Sequence, residues 1–233
     1  MPIRKSTFRL ALDVGHTPEL PGTLTARGKT EYEFNLSLAS FIQAHLGDRG
    51  YKNVQLIKMS GGLETLAQRA TVADDFKADL FLSIHHDSAH PKYFETWLVD
   101  GKPQEYSDEF SGFSLFVSKK NPHWPAALQF ATLLSDQLLK RDMHFTLHHA
   151  EPIEGESREL LDSTRGIYRF DDLVVLKGFD GPAALLEAAV VINRDEELIA
   201  ASRQRHQIIA DAVSDALDDY CEMLGTNFEL LRR

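Results

Sequence analysis

Short apolar runs alternating with helix-period stretches set the tightest limit on what this chain can fold into. Residues 8–14 form a strand-like run closed by Gly15, and residues 31–49 carry Phe34, Leu38, Phe41, Ile42 and His45 at helical spacing before Gly50. A second strand is expected over 54–59, closed by Gly61 and Gly62, then a helix over 63–77 with Leu66, Ala70 and Ala73 on one side. Residues 79–84 read as a buried strand ending at the paired histidines, His85 and His86. The rhythm then breaks near 89–111, a polar, aromatic and acidic stretch that reads as an irregular insertion or flap. Residues 112–118 read as a strand and 125–140 as a helix, followed by a second irregular stretch near 142–171. A strand over 173–177, a last strand over 183–192 and one long helix over 194–224 complete the pattern. Strands alternating with helices predict an α/β fold: a single domain over residues 1–233, with a twisted, mostly parallel (mixed) sheet of about six strands flanked by helices on both faces.

Composition narrows the partners. Thirty-five acidic against 25 basic residues give a formal charge of -10, so an extended polyanion gains nothing from long-range attraction and no nucleic acid partner is expected. The lone Cys221 excludes an intramolecular disulfide and a cysteine-based zinc site. No apolar run of about 18 residues appears, so no membrane span is expected. The segment MPIRKSTFRLALDVG reads as a first strand and not as a signal peptide, because its apolar stretch is short and lacks a small-residue cleavage site.

Ligands of such sheets gather beyond the carboxyl ends of the strands. His16 follows the first strand directly, and His85 and His86 close the third. Glu31 opens the first helix, where the helix dipole favours a carboxylate, with Thr30 as N-cap and Glu33 as its capping-box partner. Two imidazoles and one carboxylate leave one corner of a tetrahedral Zn2+ open, the donor pattern of a hydrolytic rather than a structural site. Successive strand residues face opposite sides, so one of His85 and His86 faces the metal. Glu187 interrupts the apolar run AALLEAAVVI, and a buried carboxylate needs either a partner or a function. It is the candidate general base; the competing reading is a salt bridge to a buried arginine such as Arg69. Asp87 would act behind the ligands or pair with His86, and His86, Asp87, Arg69 and Asn193 are candidates for orienting the ligands or touching substrate. His45, His123, His148, His149 and His206 read as surface or satisfied core residues. The chain has no GxSxG elbow, no GxxxxGK[ST] loop and no GxGxxG after a strand.

The blocks LALDVGHTPE, EYEFNLSLA, RATVADDFKADLFLSIH and PAALLEAAVVIN, in that order, resemble the zinc-dependent N-acetylmuramoyl-L-alanine amidases of the Amidase_3 type. The resemblance covers nearly the whole chain. It implies His16, Glu31 and His85 as zinc ligands and Glu187 as the catalytic glutamate. It further implies hydrolysis of the amide between N-acetylmuramic acid and L-alanine in peptidoglycan, a periplasmic or cell-wall location, and a protein activator as a candidate partner. Departures from the family pattern are Thr17-Pro18-Glu19, His86-Asp87 and Ala188-Ala189-Val190; they spare the ligands and bear on substrate preference. In activator-controlled relatives a helical segment can occlude the zinc, and 89–111 or 151–159 could serve similarly. Two alternatives stand beside this reading: a zinc hydrolase of small soluble muropeptides or other N-acyl amides, and a catalytically inactive relative that binds the wall or a partner.

Overall fold

The structure, a computed structural model, describes residues 5–63, 65–154 and 156–230, with side chains to residue 225. Residues 1–4 of the expected first-strand segment, residue 64 of the expected second helix and residue 155 of the second irregular stretch lie outside the described residues.

The first half follows the expected alternation: β1 (Arg9–Val14), α1 (Glu31–Asp48), β2 (Asn53–Ile57), α2 (Thr65–Asp75) and β3 (Leu80–Asp87). Next come β4 (Glu95–Val99), β5 (Lys102–Tyr106), β6 (Ser114–Val117) and α3 (Trp124–Leu139). The second half holds β7 (Leu160–Asp162), β8 (Ile167–Arg169), α4 (Val174–Gly178), β9 (Ala183–Val190), α5 (Arg194–Ala200) and α6 (Arg203–Leu230). Seven strands form one mixed sheet in the order β2-β1-β3-β9-β6-β8-β7. The pairs β1/β2, β1/β3, β3/β9 and β6/β8 are parallel, and β6/β9 and β7/β8 antiparallel. The chain is thus a single α/β domain of the expected kind.

Period-two alternation sorts the strands onto two faces. Leu10, Leu12, Val14, Leu80, Leu82, Ile84, Ala184 and Leu186 are buried with residues of α1, α3 and α6 in one cluster. Ala11, Phe81 and Leu185, one residue out of phase, are buried with residues of α2 and α4 in another. Asp13, His85, Asp87 and Glu187 continue that second face at the carboxyl ends of β1, β3 and β9. This pattern aims three strands' worth of polar chemistry at one place.

Four local expectations are corrected. Residues 173–177 are not a strand: Val174–Gly178 is a short helix, with Val175 and Leu176 buried in the cluster that includes Ala70 and Ala73 of α2. The expected irregular insertion carries the β4–β5 hairpin, turned at Asp100 (φ 51°) and Gly101 (φ 75°), in the left-handed region such tight turns require. The stretch 142–171 supplies β7 and β8, two further strands of the main sheet. The closing helix is two helices, because Ser202 accepts the amide of Arg205 at 3.1 Å and starts α6 afresh.

Candidate metal centre

The site begins where β1 ends. The amide of Gly15 donates to the Ile84 carbonyl at 3.0 Å, pinning this exit to β3. A Cβ on Gly15 would lie 2.4 Å from the His85 ring, so only glycine allows the two segments to approach this closely. His16 then takes φ 67°, the left-handed region, which costs a non-glycine residue roughly 1–2 kcal/mol. The guanidinium of Arg69 holds it there by donating to the carbonyls of Val14 and His16 while pairing with Asp13 at 2.6 Å. The Glu187–Arg69 ion pair of the competing reading is not formed; Arg69 instead straps the β1 exit.

Glu31 opens α1 behind the capping box of Thr30 and Glu33. Its two oxygens divide between the imidazoles, with Oε2 at 2.9 Å from His16 Nε2 and Oε1 at 3.0 Å from His85 Nδ1. Asn35 Nδ2 donates to Oε1 at 3.1 Å, and the amides of Thr23 and His86 donate at 3.2 and 3.3 Å. Burial alone would raise this carboxyl's pKa, but the hydrogen bonds and charges of His16 and His85 outweigh it and hold Glu31 well below the usual range. One donor atom from each of His16, Glu31 and His85 lies within 4.8 Å of the other two. Neighbouring ligands of a tetrahedral zinc sit roughly 3.4 Å apart, given bond lengths near 2.0–2.1 Å, so this trio fits such an ion with little movement.

His85 and His86 part as period two demands. His86 faces α1, with Nδ1 at 2.8 Å from Asn35 Oδ1 and its ring edge-on to Phe34. It is 2% exposed and lies behind the trio, where it steadies Asn35, itself a donor to Glu31. Burial pushes its pKa down to about 3. The unfolded chain therefore binds a proton between about pH 6.5 and 3 that the folded chain does not, and stability falls as pH drops through that window. In the metal-free chain, the stability difference between wild type and His86→Gln is expected to narrow by about 1–2 kcal/mol from pH 6.5 to 5 in urea unfolding. A pH-independent difference would count against a buried neutral imidazole.

Glu187 is the Cα partner of His85 across β3/β9. Its Oε2 is buried without a hydrogen-bond partner among the described residues. Burial, then the charges of Asp87 and Glu31, raise its pKa well above the usual carboxylate range. Of the two roles open to Asp87, pairing with His86 is not observed: Asp87 Oδ2 sits 2.7 Å from His149 Nε2 and 3.2 Å from His148 Nε2. Those two histidines, read from the sequence as unremarkable, line the same cavity as His16, His85, Asp87 and Glu187. Their doublet at 148–149 is the signal the sequence carries, since the partner Asp87 lies 62 residues before His149. Asn193 is not at the site. It caps α5 by accepting the amides of Asp195 and Glu196, both at 3.0 Å, and donates to the Phe110 carbonyl.

The cavity, of about 570 Å³, is lined largely by apolar groups such as Leu63, Leu66, Phe116 and Leu173, with the charged cluster at its base. Glu156 and Arg158 of the 151–159 segment line it, whereas no residue of the β4–β5 hairpin does. Both segments considered for occluding the site reach it, 89–111 through Ala89 and His90 at its start and 151–159 through Glu156 and Arg158.

Residues 10–219 match the family model described as N-acetylmuramoyl-L-alanine amidase, Amidase_3. The chain is 24% identical over 220 residues to AmiA of Salmonella typhimurium, an N-acetylmuramoyl-L-alanine amidase, covering 90% of this chain and 74% of that protein. It shares its fold with the Mycobacterium smegmatis amidase Ami1 (TM-score 0.69, 18% identity, 94% and 99% of the two chains). It does so too with the CwlD amidase of Clostridioides difficile, solved in complex with the GerS lipoprotein (TM-score 0.59, 17% identity, 91% and 98%). With a family model spanning all but the ends of the sequence and the same fold in solved members, this chain belongs to the Amidase_3 family of N-acetylmuramoyl-L-alanine amidases.

Proposed function

We propose that the chain is a zinc-dependent amidase that hydrolyses the bond between the lactyl group of N-acetylmuramic acid and L-alanine in peptidoglycan. In this reading His16, Glu31 and His85 hold the zinc and Glu187 is the general base. One observation carries it: three donor atoms converge beside a cavity, directly across the strand pair from Glu187, whose Oε2 is buried without a hydrogen-bond partner among the described residues.

A zinc ion bound there would polarise the scissile carbonyl and make a water acidic enough to attack near neutral pH. The chain's own groups do the rest. Asn35 and the amides of Thr23 and His86 fix the Glu31 carboxylate, so both of its oxygens stay aimed at the imidazoles. Glu187 accepts the proton of the attacking water as its oxygen bonds to the carbonyl carbon, and returns it to the alanine nitrogen as the C–N bond breaks. The products are a muramic carboxylate and a free stem-peptide amine. Burial raises Glu187's affinity for that proton, and a nearby cation lowers it, which brings the group toward the range a base needs at neutral pH.

Peptidoglycan lies outside the cytoplasmic membrane, so the reading carries a periplasmic or cell-wall place of action. No helix among the described residues is long and apolar enough to cross a membrane. The GerS-bound relative supports keeping a protein activator among the partners. The test combines metal removal with product analysis. Chelation is expected to lower release of L-alanine-terminated stem peptides from purified sacculi by more than roughly 100-fold, with zinc restoring it. Mass spectrometry showing cleavage at another bond, or turnover indifferent to the chelator, would refute the reading. Turnover on soluble muropeptides but not on sacculi would move the substrate to the smaller class.

A further inference from the structure

His148 and His149 have no part in the hydrolysis described above, yet both are built into the cavity wall. They start the 3-10 turn His148–Ala150, and their Nε2 atoms converge on one oxygen, Oδ2 of Asp87. Each of the three residues offers a donor atom within 4.8 Å of the other two, the same donor set of two imidazoles and a carboxylate found in the first trio. The side chains of His148, His149 and Asp87 are only 7%, 19% and 13% exposed, so the cluster is no loose surface grouping.

The rings are held in place from behind. Nδ1 of His148 shares a hydrogen bond of 2.8 Å with Thr146 Oγ1, which leaves Nε2 as the atom presented to the cavity. The same ring stacks on Phe110, with centroids 4.9 Å apart. His149 packs edge-on between Phe116 and Tyr168, at 4.9 and 5.5 Å. Asp87 lies two residues beyond His85 on the same face of β3, so these two backbone positions sit about 7 Å apart along the strand. Imidazole and carboxylate donors with fixed rings suit a zinc-class ion better than calcium or magnesium, which prefer oxygen-only shells.

We propose that Asp87, His148 and His149 form a second divalent-metal site of the zinc class in the cavity that also holds the His16, Glu31 and His85 trio. The proposal does not depend on how the first trio is read. The full chain, loaded with excess Zn2+, desalted and analysed for metal by mass spectrometry, is expected to carry two equivalents. His149→Gln and Asp87→Asn should each carry one, His16→Ala should keep one, and His16→Ala with His149→Gln should carry none. Loading with Co2+ gives a second readout, with the visible absorption of the His16→Ala protein assigned to the second site and lost in the double variant. Circular dichroism identifies any variant that fails to fold, and Asp87→Asn, an isosteric change, then decides. One equivalent lost in His149→Gln but kept in His16→Ala would support this site while removing the assignment of the first. Folded His149→Gln and Asp87→Asn proteins that both retain all the metal of the wild type would overturn the proposal.

Discussion

Replacing Glu187 by glutamine is expected to lower amide hydrolysis by roughly 10²–10⁴-fold while leaving metal content unchanged. The side chain keeps its shape but can no longer accept a proton, and it contributes no donor atom to either trio. Stability should move the opposite way. A carboxyl with a raised folded-state pKa binds more protons folded than unfolded between its ordinary value and the raised one, so stability is lost as pH rises through that window. Glutamine is neutral throughout. The metal-free variant should therefore equal wild type near pH 4 and exceed it increasingly toward neutrality. A structural ion pair at Glu187 would give the reverse pattern, with lost stability and little lost turnover. Retention of more than about a tenth of wild-type turnover would remove Glu187 as the base.

The first trio was readable because each member stands at a punctuation mark of the chain. His16 follows the glycine that ends a buried strand, Glu31 follows a threonine cap, and His85 ends an apolar run. Glu187 stood out because strands covered on both faces read as unbroken apolar sequence, so one carboxylate within β9 is conspicuous. Short apolar segments have no such resolution. The run LVVLK fits strand or helix equally, and packing against α2 decides for α4. The hairpin did leave a signal in Asp100-Gly101, but its flanking strands are mostly exposed and carry no regular apolar alternation to go with it. Ser202 likewise marked the start of α6. The Asp87, His148 and His149 cluster was illegible for a different reason. It joins a strand end to an aperiodic stretch, and tertiary contacts such as the packing of Phe110, Phe116 and Tyr168 bring them together.

Removing the guanidinium of Arg69 is expected to destabilise the fold by about 3–5 kcal/mol, the cost of leaving a buried charge without its partner. Arg69 and Asp13 are each 1% exposed, and Ser83 Oγ, at 2.7 Å, would be the remaining side-chain donor to that carboxylate. In Arg69→Met the carbonyls of Val14 and His16 also lose their donor, so His16 loses the strap that holds its left-handed backbone. Zinc affinity should then fall by roughly 10–100-fold, as it does when groups orienting metal ligands are removed. The two effects separate in a cycle with Asp13→Asn. Neutralising Asp13 in the Arg69→Met background removes the orphaned charge and should recover a large part of the stability, but it cannot restore a donor to the His16 carbonyl, so zinc affinity stays low. Urea unfolding and competition with a chromogenic chelator measure the two quantities. Stability within about 1 kcal/mol of wild type in Arg69→Met would show that water or another donor reaches Asp13, and zinc affinity recovering along with stability in the double variant would show that Arg69 acts on the site only by balancing charge.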